Sequence, residues 1–163
     1  MKAPKRCGGV TLVELSTTLA SAAIILTLGV PAFRALQTDR QLSQVSSSLT
    51  GSFALARSEA VRRGAQVRVC PSTDGSTCNS PPHGDWSTGW IVTVAEGSRG
   101  HVIDVTHPSQ APAFSLAADA LLAEGVTFTS AGVPSDTGSL TYSDGRNHSV
   151  FRLTPIGRLE FVR

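Results

Sequence analysis

Gly8-Gly9-Val10-Thr11-Leu12-Val13-Glu14-Leu15-Ser16 opens an apolar run that continues to Phe33. Lys2, Lys5 and Arg6 precede it as a short basic leader, and no charged residue occurs from Ser16 to Phe33. As a helix, a run of this length can cross a hydrocarbon core of about 30 Å. Glu14 stands out, because a lone carboxylate near the start of such a segment is costly and is usually kept for a function.

At these residues the chain resembles the type IV pilin-like proteins. The resemblance implies cleavage by a prepilin peptidase after Gly9 and N-methylation of the new first residue, Val10. Glu14 then takes the place of the family's glutamate at the fifth mature position, and Pro31 that of a helix-kinking proline. The usual first residue of the family is phenylalanine, and valine departs from it. A secretory signal peptide also has a basic start and an apolar centre, but it ends in a small-residue cleavage site. Ala32 and Ala35 make a poor one, and Glu14 would interrupt the apolar centre.

The 163 residues suffice for an anchor and one modest domain. Formal net charge is +2, and losing Lys2, Lys5 and Arg6 with the leader leaves about −1, so the basic balance says nothing of partners. Both lysines lie in the leader, and every cation after it is an arginine, the residue suited to bidentate carboxylate and phosphate contacts. Cys7 also belongs to the leader. The remaining pair, Cys70 and Cys78, would face an oxidising periplasm and read as a disulfide closing a short loop. A metal site is disfavoured, since the two cysteines lack further ligands nearby.

The predicted organisation is a leader over 1–9, a transmembrane and assembly helix over 10–33, its amphipathic continuation over 34–64, and a β-rich head over 65–163. In the continuation, Leu42, Val45, Leu49, Phe53, Ala56 and Ala60 recur at steps of three and four and form one stripe. Gly64 is the stop. Gln66–Cys70 alternates with period two and predicts a strand. Pro71–Asp85 is loop chemistry. Further strands are expected at Trp86–Val94, with Trp90, Val92 and Val94 on one face, and at His101–Val105 after a turn over Glu96–Gly100. Leu116–Leu122 is open between a short helix and an edge strand, and Val126–Ser130 reads as a strand. The end reads as two hairpins: Leu140–Ser143 with Ser149–Thr154 about Asp144-Gly145, and Ser149–Thr154 with Arg158–Val162 about Pro155-Ile156-Gly157.

Ala56-Arg57-Ser58-Glu59-Ala60, Arg63-Gly64, Val69-Cys70-Pro71-Ser72, Asp74-Gly75, Cys78, Trp86–Val92 and Gly157-Arg158 resemble the GspH/FimT subgroup of pilin-like proteins. The resemblance implies an α+β, pilin-like fold: a long N-terminal helix on a head of antiparallel sheets. It also implies a bacterial inner-membrane precursor with a single pass and a periplasmic head. The implied role is that of a minor pilin or pseudopilin of a type IV pilus or a type II secretion pseudopilus. Its partners are then other pilin subunits, the prepilin peptidase and the membrane, with no cofactor and no metal.

No hydrolase elbow, phosphate loop, metalloprotease helix or dinucleotide fingerprint occurs, and His83, His101, His107 and His148 are scattered. An enzyme is not expected. A second reading rests on the C-terminal cations. Some FimT-type minor pilins bind DNA during transformation through a Gly-Arg-x-Arg motif, which Gly157-Arg158-Leu159-Glu160 resembles with its second arginine replaced by an acid. Arg152, Arg158 and Arg163 could share one face of the hairpin, beside Gly157, and contact phosphates in a salt-dependent way.

Overall fold

The computed structural model describes residues 9, 11–79, 84–94, 100–108, 113–145 and 148–162; within its helix, the side chains of Leu28, Pro31, Ala32, Arg34 and Ala35 lie outside that description. The leader to Gly8, Val10, His83, the Glu96–Gly100 turn apart from Gly100, Arg146 and Arg163 also fall outside it.

Helix α1 spans Leu12–Arg63 and is helical through Gly29 and Pro31. Its start is capped locally: the Glu14 N–H donates to Thr11 Oγ1 at 3.2 Å, and Leu15 N–H to the Thr11 carbonyl at 3.1 Å. Thr11 and Glu14 hold the first and last places of a Ser/Thr-x-x-Glu capping pattern. The helix ends at Gly64, whose φ of 63° lies in the left-handed region that glycine enters without strain. Two compact units divide the chain, Met1–Gln37 and Thr38–Arg163, and α1 contributes to both.

In the first unit the helix exposes its apolar side chains, Leu12 at 83% and Ile25 at 69% among them. Among the described residues, which leave out several side chains between Leu28 and Ala35, no helix is long and apolar enough to cross a membrane. Ser16, Thr17, Thr18, Ser21 and Thr27 each donate to a main-chain carbonyl three or four residues back, so these polar groups are satisfied within the helix.

Among the described residues of the second unit, eight strands form two antiparallel four-stranded sheets. The strands are β1 Val67–Pro71, β2 Trp90–Val94, β3 His101–Thr106, β4 Ser115–Ala118, β5 Val126–Phe128, β6 Ser139–Ser143, β7 His148–Leu153 and β8 Leu159–Val162. One sheet runs β3-β2-β1-β5 and the other β4-β6-β7-β8. The helix stripe is buried as its period requires: Val45, Leu49, Phe53, Ala56 and Ala60 join Val69, Trp90, Val92 and Phe128 of one sheet and Leu140, Tyr142, Phe151 and Leu153 of the other in one core, with Leu42 packed at its margin. Each such large side chain contributes on the order of 1.5–3 kcal/mol through burial.

One strand boundary needs correction, and one open segment is resolved. Trp86 does not belong to a strand reaching Val94: β2 begins at Trp90, and Trp86 to Gly89 form a turn closed by Gly89 N–H to the Trp86 carbonyl. Trp86 is nonetheless fully buried, because its indole N–H reaches the Leu122 carbonyl at 3.3 Å and its ring packs beside Phe53 at 6.2 Å between centroids. The segment left open between helix and strand is both strand and turn. β4 forms the edge beside β6, then Asp119 turns the chain by accepting from the N–H groups of Leu121, Leu122 and Ser139.

Candidate functional site

Glu14 lies at the third helical position of α1, exposed, one turn from Thr11. A carboxylate here complements the unpaired N–H groups of the helix start whatever its partners elsewhere. The capping pattern Thr11-Leu12-Val13-Glu14 was present in the sequence and would have revealed this local role. Gly9 is exposed, and a Cβ added to it would meet nothing within 4 Å. Pro31 is in the helix; its side chain and the whole of Val10 fall outside the described residues.

Cys70 and Cys78 are disulfide-bonded, with Cα atoms 5.6 Å apart. The loop they close has a second clamp that sequence reading missed. Asp74 accepts from Ser76 N–H, Thr77 N–H and the Thr77 hydroxyl at 2.9, 2.8 and 2.7 Å. These bonds, the Thr77 N–H foremost, hold its carboxyl well below the ordinary carboxylate range. Asn79 closes the loop's far side, accepting from Thr73 N–H at 3.2 Å and donating its own N–H to the Pro71 carbonyl at 2.8 Å.

The C-terminal arginines are organised by the β7–β8 hairpin. Gly157 has a φ of 75°, and a Cβ there would come within 2.8 Å of the Phe128 ring, so the turn packs tightly on the first sheet. Thr154 brackets it, donating N–H to the Arg158 carbonyl at 2.9 Å and accepting the Arg158 N–H on its hydroxyl at 3.1 Å. Arg152 stands directly across from Glu160 in the ladder, so the acid faces the cation expected to touch phosphate. Arg152 borders a hollow with Asp119, whereas Arg158 borders a different one against α1. The register sets Arg152, Thr154, Arg158 and Glu160 on one face of the hairpin, with the acid between the two arginines' ladder positions; Arg163 lies outside the described residues.

The hollow beside Arg158, of about 710 Å³, lies between α1 and the β7–β8 turn. Buried Phe53 and Leu159 and exposed Val61 and Ile156 give it an apolar lining, and Arg57, Arg62 and Arg158 add three guanidiniums. Arg62 is engaged by Glu59, whose carboxylate also holds Arg63, both at 2.6 Å. Hydrogen bonds from Arg62 and then Arg63 pull the Glu59 pKa down to about 2.

Of the histidines, His107 Nδ1 lies 3.2 Å from the Thr88 carbonyl, and His101 and His148 are exposed. Among the described residues no group of His, Cys, Asp and Glu could hold a metal ion.

No curated protein matches the chain in sequence. Two crystal structures of the type IV minor pilin FimU of Pseudomonas aeruginosa share its fold. One aligns with a TM-score of 0.61 at 19% identity, over 78% of this chain and 92% of that one. The other gives 0.56 at 18%, over 74% and 92%. The family model for type II transport protein GspH matches residues 46–157, more than half of the chain and wholly within the second unit. With its helix, its antiparallel sheets and this match, the chain belongs to the GspH family of pilin-like proteins.

Proposed function

We propose that this chain is a structural subunit, a minor pilin or pseudopilin, that enters a type IV pilus or a type II secretion pseudopilus through its N-terminal helix. The carrying observation is the apolar surface of α1 in the first unit: among the described residues, ten large apolar side chains from Leu12 to Leu36 are exposed in the single chain. A surface of that extent is unstable in water and calls for apolar cover. The inner membrane before assembly and the helices of neighbouring subunits afterwards supply it. FimU, whose fold the chain shares, is a type IV minor pilin.

In this reading the prepilin peptidase cuts after Gly9, and methylated Val10 becomes the first residue. The cut leaves the Thr11 cap and Glu14 on the subunit. Glu14 then neutralises a terminal amine, its own or a neighbour's, where low dielectric magnifies the attraction, and so sets axial register. Mass spectrometry of the membrane-extracted protein should find a mature start at methylated Val10, and a start after Ala32 or Ala35 would exclude the pilin route. Glu14→Ala should be inserted and cleaved normally yet appear in sheared filaments on the order of tenfold less, the factor for about 1.4 kcal/mol. Undiminished incorporation removes the role given to Glu14.

The DNA-binding alternative has Glu160 opposite Arg152 to overcome. A titration of labelled duplex at two salt concentrations, with the parent and with Glu160→Arg, decides it. Absence of binding by both leaves these arginines as strand residues of a filament subunit.

A further inference from the structure

The hollow between α1 and β8 adjoins an open sheet edge. β8 is the last strand in the order β4-β6-β7-β8. Thr154 N–H donates to the Arg158 carbonyl, whereas Leu153 N–H donates the other way, to Gly138 of the segment before β6. An antiparallel ladder alternates bonded and non-bonded pairs, so Arg152 and Glu160 bond each other's backbones, and Leu159 and Phe161 turn N–H and C=O away from β7. Those groups form an edge that a further strand can pair with. Phe161 and Val162 are each about two-fifths exposed, at 42% and 41%, and β8 carries no proline or lysine, its one charge being the exposed Glu160 that faces Arg152 across the ladder.

Shape and charge restrict the occupant. Phe53, Val61, Ile156 and Leu159 offer an apolar lining of the size that holds several side chains, about 710 Å³. Arg57 and Arg158 stand exposed beside it, and among the described residues neither side chain has an ion pair or hydrogen bond. Arg62 adds a third cation, already shared with Glu59. A carboxylate-bearing, alternately apolar segment meets all three features, whereas a basic one would bring like charge against the arginines.

We propose that the α1–β8 groove is a docking site for an extended acidic segment of another protein, which adds as a strand to β8, sets alternate apolar side chains against Phe53 and Val61, and presents carboxylates to Arg57 and Arg158. Main-chain pairing supplies affinity here, and the apolar pockets and arginines supply selectivity. The site is separate from the apolar helix of the first unit and does not depend on how that helix is covered.

The test uses the full chain in detergent micelles and labelled short peptides of alternating valine and glutamate, followed by fluorescence anisotropy. The Val/Glu peptide should bind saturably and on the order of tenfold more tightly than a Val/Lys peptide of equal length. The double variant Arg57→Glu with Arg158→Glu should reverse that order, a result that misfolding cannot produce. A Val/Glu peptide N-methylated at alternate residues should not bind, and the unmodified peptide should slow amide exchange at Leu159 and Phe161. Equal binding of both charge types, no binding of either, or undiminished binding of the N-methylated peptide overturns the proposal. So does sedimentation showing that a second copy occupies the groove, with self-association lost on Val61→Asp.

Discussion

The two halves of α1 are made from similar apolar residues and have opposite fates. Before Gln37, leucines and isoleucines surround the helix and are exposed; after Thr38, a narrow stripe of Val45, Leu49, Phe53, Ala56 and Ala60 is almost wholly buried by two sheets. Apolar residues on every side suit a helix surrounded by apolar neighbours, and a single stripe suits a helix with one wet face. The contrast teaches that the second half is buried within its own unit, while the first leaves its apolar side chains exposed, as the proposed assembly role requires.

Truncation breaks this comparison most directly. Phe53 lies fully buried against Trp86 and Phe128, and Phe53→Ala should cost about 3–5 kcal/mol through lost transfer energy and an unfilled cavity. Ile25→Ala, on the exposed half, should change stability by no more than about 0.5 kcal/mol. Chemical denaturation of both variants checks the difference, and equal losses would mean that the first half is already covered within the chain.

A smaller effect belongs to the loop at Cys70–Cys78. Cys70→Ser with Cys78→Ser should remove about 2–3 kcal/mol, the chain-entropy expectation for so short a loop. The thermal midpoint should fall, and Ile25→Ala in the same background should add nothing.

The Asp74 clamp sharpens the contrast through pH. Its folded pKa is depressed, so its contribution is present above the unfolded value of about 3.9 and is lost as pH falls through it toward the folded value. Asp74→Asn should therefore lower the melting temperature at neutral pH and narrow the gap between neutral and strongly acidic conditions. An unchanged gap would place that pH dependence elsewhere, with Glu59, also depressed, the first candidate.

A small effect, of opposite sign, is expected at Tyr142. It is fully buried against Phe114, and its hydroxyl has no hydrogen-bond partner among the described residues. Burial, with Asp144 second, pushes its pKa up to about 12, so it stays neutral at ordinary pH. Tyr142→Phe removes an unsatisfied group at nearly constant shape and should leave stability unchanged or raise it by about 1 kcal/mol. A clear loss would reveal a partner for the hydroxyl.

Much of the molecule was legible residue by residue. The helix stripe, the stop at Gly64, the cysteine pair, β1 and the two C-terminal hairpins all follow from period, turn chemistry and cysteine count, because each depends on neighbours within a few positions. Thr11 and Glu14 belong to the same class, since their capping pattern is local. Tertiary structure alone placed Trp86 in a turn yet inside the core, because its partners Leu122 and Phe53 are remote in sequence. It likewise let the Trp90 indole N–H donate to Ser52 Oγ at 2.9 Å, a buried link between helix and sheet. Register, too, was decided only on folding: it set Glu160 opposite Arg152 and put Arg158 beside α1. Composition could count those charges, but which of them meet depends on long-range pairing, where a shift by one residue exchanges one face of a strand for the other.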